Sequence, residues 1–204
     1  MVQNKKEANT LLKDALTLFL ITLIAGIALG FVYELTKEPI REAKAKEKQD
    51  AYAMVYTEAK EFSDPESQYV DVEESSGDLL QKEAGIAGVT INEVLEAYDD
   101  GGVKIGYVLT VTSHEGYGGD VPISIGITKD GKITGVEVLD NSETSGFGSK
   151  AQDPQFEEQF RGVDADRVEP GVDFDGISGA TYTTTAVTNA INGALYYVKQ
   201  YAQK

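Results

Sequence analysis

Near the C-terminus, Asp175-Gly176-Ile177-Ser178-Gly179-Ala180-Thr181-Tyr182-Thr183-Thr184 combines small, hydroxylated and acidic residues just ahead of an apolar-periodic stretch. At a helix N-terminus such a run suits an anion. Backbone N–H groups point outward there, the helix dipole favours negative charge, and glycine lets the backbone approach closely. The same residue types also suit a plain N-cap loop, and on their own they favour that simpler reading. A second group, Glu143-Thr144-Ser145-Gly146-Phe147-Gly148, sets an acid and a hydroxyl beside a glycine-flanked aromatic. Its Gly-Phe-Gly is not a dinucleotide fingerprint, because the third glycine and the βαβ setting are missing. His114 is the only histidine, and a lone histidine at a strand end is ordinarily structural.

Composition removes other chemistries. The 204 residues include no cysteine and no tryptophan. A thiolate zinc site, a Cys-ligated iron–sulfur cluster, a thioether-bound haem and a disulfide are all excluded. One histidine leaves almost nothing for a His-rich metal centre or a Ser-His-Asp triad, so neither a catalytic nor a metal-ligating set is assigned. A formal charge of −16 argues against a nucleic-acid surface, which needs a basic face. That charge is uneven: residues 1–48 carry a net +2 and the remainder −18.

The elements that must position these residues read as an α+β domain. Ile91–Tyr98 and Val103–Ser113 alternate with a period near two around Asp99-Asp100-Gly101-Gly102, a hairpin signal. Pro122–Thr128 and Lys132–Asp140 do the same around Lys129-Asp130-Gly131. Pro154 opens a short helix with Phe156 and Phe160 four apart. Val187, Ala190, Ile191, Ala194, Leu195, Val198 and Tyr201 fall at helical spacings, which predicts a C-terminal amphipathic helix. The threonines at 183–185 are its expected N-cap. Asp64–Gly88 reads as an acidic, turn-rich connector.

At the other end, Ala15–Tyr33 is an uncharged run of 19 residues. As a helix it reaches about 28 Å, close to the apolar thickness of a bilayer. A cleaved signal peptide is the competing reading, but its apolar region would be shorter and end at a small-residue cleavage site. We therefore expect a single uncleaved transmembrane helix over 15–33, after a short flank at 1–14. A helical stalk and connector then occupy 34–84, and the main domain 85–204. The stalk helix is expected to start near Pro39 and run to about Phe62, with Ala51, Met54, Val55 and Ala59 as its apolar stripe. Lys and Arg are more numerous after the membrane run than before it, which by counting alone would put the C-terminal side in the cytoplasm.

The segment from Asp175 resembles the flavinylation motif of covalently FMN-bound proteins: Asp, two residues, Ser or Thr, Gly, Ala, then Thr or Ser. Asp175, Ser178, Gly179, Ala180 and Thr181 match each defined position. The resemblance implies that a flavin transferase joins the FMN phosphate to Thr181 through a phosphoester. Upstream, Gly116-Tyr117-Gly118-Gly119, the turn at 129–136, Glu143–Gly148, Phe156 and Gln159-Phe160 follow the order of a known FMN-binding domain. That domain is shared by the G subunit of Rnf-type complexes and the C subunit of sodium-pumping NADH:quinone reductases. The likeness covers about residues 85–190, and the anchor with Lys37-Glu38-Pro39-Ile40 extends it towards the Rnf subunit. By the same resemblance Glu143, Thr144 and Phe147 match positions near the isoalloxazine. The chain departs from the family's Glu-Thr-Pro-Gly-Leu-Gly at Ser145 and Phe147, and Asn141 stands where a histidine is common.

The resemblance implies a membrane-anchored flavoprotein that carries electrons on one covalent FMN. Its complex would move electrons between ferredoxin and NAD, coupled to sodium or proton translocation. Its partners would be the other membrane and redox subunits, and its own substrate site is expected to be absent. The family places the domain outside the cytoplasm, against the simple charge count. The alternatives are the quinone-reductase C subunit, a free-standing FMN carrier, or a non-catalytic anchored module whose Thr181 motif is only a helix cap.

Overall fold

A computed structural model describes residues 2–63 and 72–202, and the chain divides into two compact units, Met1–Lys46 and Glu47–Lys204. Helix α1 spans Val2–Val55. Its apolar part is exposed and is long and apolar enough to cross a membrane. Pro39 lies inside α1 and does not begin a new helix. Proline removes the amide that Leu35 C=O would accept. Leu35 is exposed, and Glu38, Arg41, Glu42 and Ala43 around the proline are good helix formers, so the helix runs on. The stalk also stops earlier than Phe62. After Val55 the chain turns, and Glu61–Phe62 becomes strand β1 against Tyr98 and Ala97. An open sheet edge with unpaired amides claims those residues from the helix.

The alternation in the middle of the chain becomes an antiparallel meander of five strands in the order β1-β2-β3-β4-β5. The longer strands are β2 Val89–Tyr98, β3 Lys104–Ser113, β4 Val121–Thr128 and β5 Ile133–Val138. One face carries Tyr107, Leu109 and Val111 of β3 with Ile123, Ile125 and Ile127 of β4 into the main core. The other face carries Leu95, Ala97 and Val108 against Tyr52, Val55 and Tyr56. In β2 the inward side changes parity, from Val89 and Ile91 to Val94, because the register slips between Ile91 and Glu93. A bulge inserts one residue, so the period-two pattern switches faces there.

Helix α2 (Val72–Leu79) continues into a π-helical turn over Leu80–Ala84, so residues 72–84 of the expected turn-rich connector are helical, while 85–88 are irregular with Gly85 and Gly88 at positive φ. Helix α3 is short, Pro154–Glu157, and sets Phe156 edge-on to Phe160, 5.4 Å between ring centres. Helix α4, Thr181–Tyr197, buries Val187, Ala190, Ile191 and Ala194 against the sheet. It begins two residues before the expected cap. Ala180 precedes it with no side-chain cap, and the threonines at 183–185 lie within its first turns.

Candidate functional site

The head of α4 is set by a tight turn. Ala180 N–H donates to Ile177 C=O at 3.0 Å, and Gly179, third in that turn, has φ +79°. Glycine supplies the positive φ without steric cost. Thr184 locks the turn, its Oγ1 accepting Ile177 N–H at 3.0 Å and its hydroxyl donating to Ala180 C=O at 3.0 Å. Gln159 brackets Asp175 from outside. Its Oε1 accepts Asp175 N–H at 2.8 Å, and its Nε2 donates to Asp175 C=O at 3.4 Å. Thr181 is thereby the first residue of α4, exposed, with first-turn N–H groups that have no intrahelical acceptor.

A second turn of the same form faces it. Phe147 N–H donates to Thr144 C=O at 3.1 Å, and Gly146, third in the turn, has φ +77°. Ser145 occupies the second position, where proline would pre-set the backbone. The turn forms without it. Asn141 orders the approach, its Oδ1 accepting Glu143 N–H at 3.0 Å and its Nδ2 donating to Leu139 C=O at 2.9 Å.

Between the two turns lies a cavity of about 470 Å³, lined by Glu143, Thr144, Phe147, Gly179, Ala180 and Thr181 together with Tyr117, Gly148, Tyr182 and Thr183. Asp175 and Ser178 are exposed and lie off this lining. Tyr117, Tyr182 and Phe147 are 73%, 68% and 55% exposed, so three aromatic faces around the cavity lack core partners. The Tyr117 and Tyr182 rings stand 6.3 Å apart at 52°. Glu143 links the walls, Oε1 accepting Gly118 N–H at 2.8 Å and Oε2 accepting the Thr183 hydroxyl.

Tyr117 and Tyr182 carry no expected site role, and Thr183, expected as part of the helix cap, instead lines the cavity. Tyr117 stands among three glycines at a strand end and Tyr182 follows the motif, which marks both as exposed rings. Nothing in the spacing of Thr183 and Glu143, forty positions apart, signals their bond. His114 is outside the cavity lining. Its Nδ1 pairs with Asp120 at 2.8 Å and its Nε2 with Thr90 Oγ1 at 3.0 Å, fixing the base of the loop that bears Tyr117.

The residues fit a flavin mononucleotide. The cavity lies within the range of about 300–1,000 Å³ usual for small-molecule sites. Its rim is aromatic, and one end opens on helix N–H donors and a free hydroxyl. Among the described residues no group of His, Cys, Asp and Glu is placed to hold a metal ion.

Comparison with known proteins agrees with this chemistry. Residues 116–196 match the family model of the FMN-binding domain, and residues 1–55 that of the RnfG N-terminal region. The chain is 30% identical over 191 residues to the G subunit of the Na(+)-translocating ferredoxin:NAD(+) oxidoreductase complex of Acetobacterium woodii, covering 88% of this chain and 87% of that one. It is 28% identical over 196 residues to the G subunit of the ion-translocating oxidoreductase complex of Methanosarcina acetivorans, with 94% and 96% covered. The G subunit of the proton-translocating ferredoxin:NAD(+) oxidoreductase complex of Clostridium ljungdahlii is 24% identical over 199 residues, with 95% and 94% covered. Among solved structures, Shewanella oneidensis NqrC aligns with a TM-score of 0.43 at 24% identity, over 50% of this chain and 54% of that one.

Proposed function

Because this chain belongs to the family of G subunits of ion-translocating oxidoreductase complexes, we propose that it relays electrons through one FMN esterified to Thr181. Its complex moves electrons between ferredoxin and NAD and couples them to sodium or proton translocation. Thr181 carries the reading: an exposed hydroxyl at the first position of α4, on the wall of an aromatic-rimmed cavity. Bound FMN supplies one- and two-electron chemistry, and the protein supplies position and environment.

The chain's own residues have three tasks. First-turn N–H groups of α4 favour the single negative charge that remains on a phosphodiester. Phe147, Tyr117 and Tyr182 offer faces to a flat ring. Thr144 and the turn it begins hold Phe147 in place. Asp175 and Ser178 lie off the cavity on an exposed segment, so we assign them to recognition by the flavin transferase and not to the ring. Esterification replaces the Thr181 hydroxyl proton with phosphorus, and the proton leaves with the donor's leaving group. Residues 15–33 anchor the chain, 34–84 connect, and 85–204 form the flavin domain on the extracytoplasmic side. The other membrane and redox subunits of the complex are its electron partners.

The test is direct. Protein made in cells that contain the transferase is denatured, run on a gel and viewed for flavin fluorescence. Wild-type chain is expected to fluoresce, and its Thr181 peptide to gain the mass of one FMN less water. Thr181→Ala is expected to lose the fluorescence while staying in the membrane fraction. A dark wild-type band would overturn the reading.

A further inference from the structure

We infer that Glu143 is a positioning residue whose carboxylate clasps two walls of the cavity together, fixing the Tyr117 loop against the head of α4. The inference rests on the flavin reading for its consequence but not for its geometry. Both carboxylate oxygens are committed: Oε1 to Gly118 N–H at 2.8 Å, Oε2 to the hydroxyl of buried Thr183. Each oxygen therefore holds a different wall of the cavity, and the carboxylate ties the two together whatever its remaining lone pairs accept.

The surroundings are built around this arrangement. A Cβ on Gly116 would lie 2.7 Å from Glu143 Oε1. One on Gly148 would lie 2.6 Å from Thr183 Oγ1 and 2.9 Å from Glu143 Cβ. One on Gly118 would lie 2.6 Å from the Ser142 carbonyl carbon. Gly148 thus leaves the space that the carboxylate and Thr183 occupy, whereas Gly116 is also confined by Gly119 C=O and Val121, and Gly118 by the Ser142 backbone.

The clasp fastens only the tip of the loop. Its base is held independently, by His114 bridging Asp120 and Thr90 and by His114 N–H donating to Gly88 C=O at 2.7 Å. Breaking the clasp therefore loosens the tip without unfolding the sheet, leaving the Tyr117–Tyr182 ring contact and the bond from Asn189 Nδ2 to Glu115 at 3.3 Å. The anchored flavin would stay on Thr181, but one wall beside it would become loose.

Chemistry separates a clasp from a charge. Glutamine has the same reach. Its carbonyl oxygen still accepts Gly118 N–H, and its amide donates to Thr183 Oγ1 once that hydroxyl turns away. Glu143→Gln should therefore restore what Glu143→Ala loses. Hydrogen exchange at the Gly118 amide, measured on full-length protein in detergent without flavin, reads the clasp itself. Hydrogen bonds to charged groups contribute about 1.5–3 kcal/mol, so Glu143→Ala should speed that exchange about tenfold or more. Thr183→Val, which keeps the side-chain shape, should also speed it, and Glu143→Gln should stay within about threefold of wild type.

On flavin-loaded protein, iodide quenching of the flavin should rise several-fold in Glu143→Ala and not in Glu143→Gln, with covalent flavin retained in both. Unchanged exchange in Glu143→Ala overturns the clasp, as does a Glu143→Gln variant as loose as the alanine one. Should Glu143→Ala not fold, Thr183→Val decides alone, with wild-type exchange counting against the clasp. A flavin-free wild-type chain would defeat the FMN reading and leave the exchange result standing.

Discussion

Four threonines stand within five residues at the head of α4, and their hydroxyls differ in what they are free to do. Thr183 is buried and donates to Glu143, and Thr184 is buried and donates to Ala180 C=O. Thr185 is exposed but does not line the cavity, whereas Thr181 is exposed and does. Burial and prior hydrogen bonding thus leave Thr181 as the hydroxyl we propose for the flavin ester. Another residue behaves unusually for its type. Glu157 accepts Val138 N–H at 2.8 Å at the end of β5, and burial, with Glu137 and Asp153 nearby, lifts its carboxyl from 4.5 to about 7. Below pH 4.5 both folded and unfolded chains hold this proton. Between 4.5 and about 7 the unfolded chain releases it and the folded chain does not, so stability falls as pH rises through that window. Above it the loss is complete. Water screens this half-covered group, so we expect Glu157→Gln to add about 1–2 kcal/mol at pH 8 and almost nothing at pH 4. Urea titrations at the two pH values check this, and equal gains at both would refute it.

Among the elements, the end of α1 is seated by absence of side chains. Gly106, Gly126 and Gly135 lie on adjacent strands, and a Cβ on them would meet Tyr56, Val55 C=O or Val55 Cα at 2.5–3.0 Å. Thr134 adds a hydroxyl donated to Val55 C=O at 2.5 Å, and Tyr56 one donated to Ile105 C=O at 2.9 Å. Gly126→Ala would press on backbone that cannot yield cheaply, so it should cost about 1–3 kcal/mol. A lower denaturation midpoint checks this, and an unchanged midpoint would show that the seat gives way. The strands were legible from sequence because their faces alternate, and α4 because its apolar residues recur at helical spacing. The seat was legible only in part: Ala51 and Val55 of the expected stripe are buried and Ala59 packs beside them, but Met54 is 55% exposed and Tyr52 and Tyr56, outside the stripe, join the packing. Both are aromatic with a polar end, and spacing alone does not reveal that Tyr52 finds Glu93 at 2.6 Å. The parity switch in β2 was hidden for a related reason, since a bulge adds one residue without a distinctive side chain. At the site, the motif and the turn glycines were readable. The Glu143–Thr183 bond was not, because it depends on how β4 and β5 bring two distant segments together.

For the whole molecule, the absence of cysteine and the division of charge between the anchor-bearing segment and the rest have practical consequences. Lys37, Arg41, Lys44, Lys46 and Lys48 follow the membrane run, against Lys5, Lys6 and Lys13 before it. Counting these alone would keep the domain in the cytoplasm, yet long domains translocate largely regardless of their charge. The domain's acidity also disfavours close contact with anionic lipid, so its neighbours are proteins, as an electron carrier within a complex requires. We expect the flavin domain on the extracytoplasmic side. Because the chain has no cysteine, a single introduced one reports its own side of the membrane without background. Asp130 is exposed in the β4–β5 turn, away from the cavity lining, and Asp14 lies before the apolar run. Asp130→Cys should react with a membrane-impermeant maleimide in intact cells, and Asp14→Cys only after lysis. The reverse pattern would put the flavin on the cytoplasmic side, and the basic residues after the anchor would then be its orienting signal.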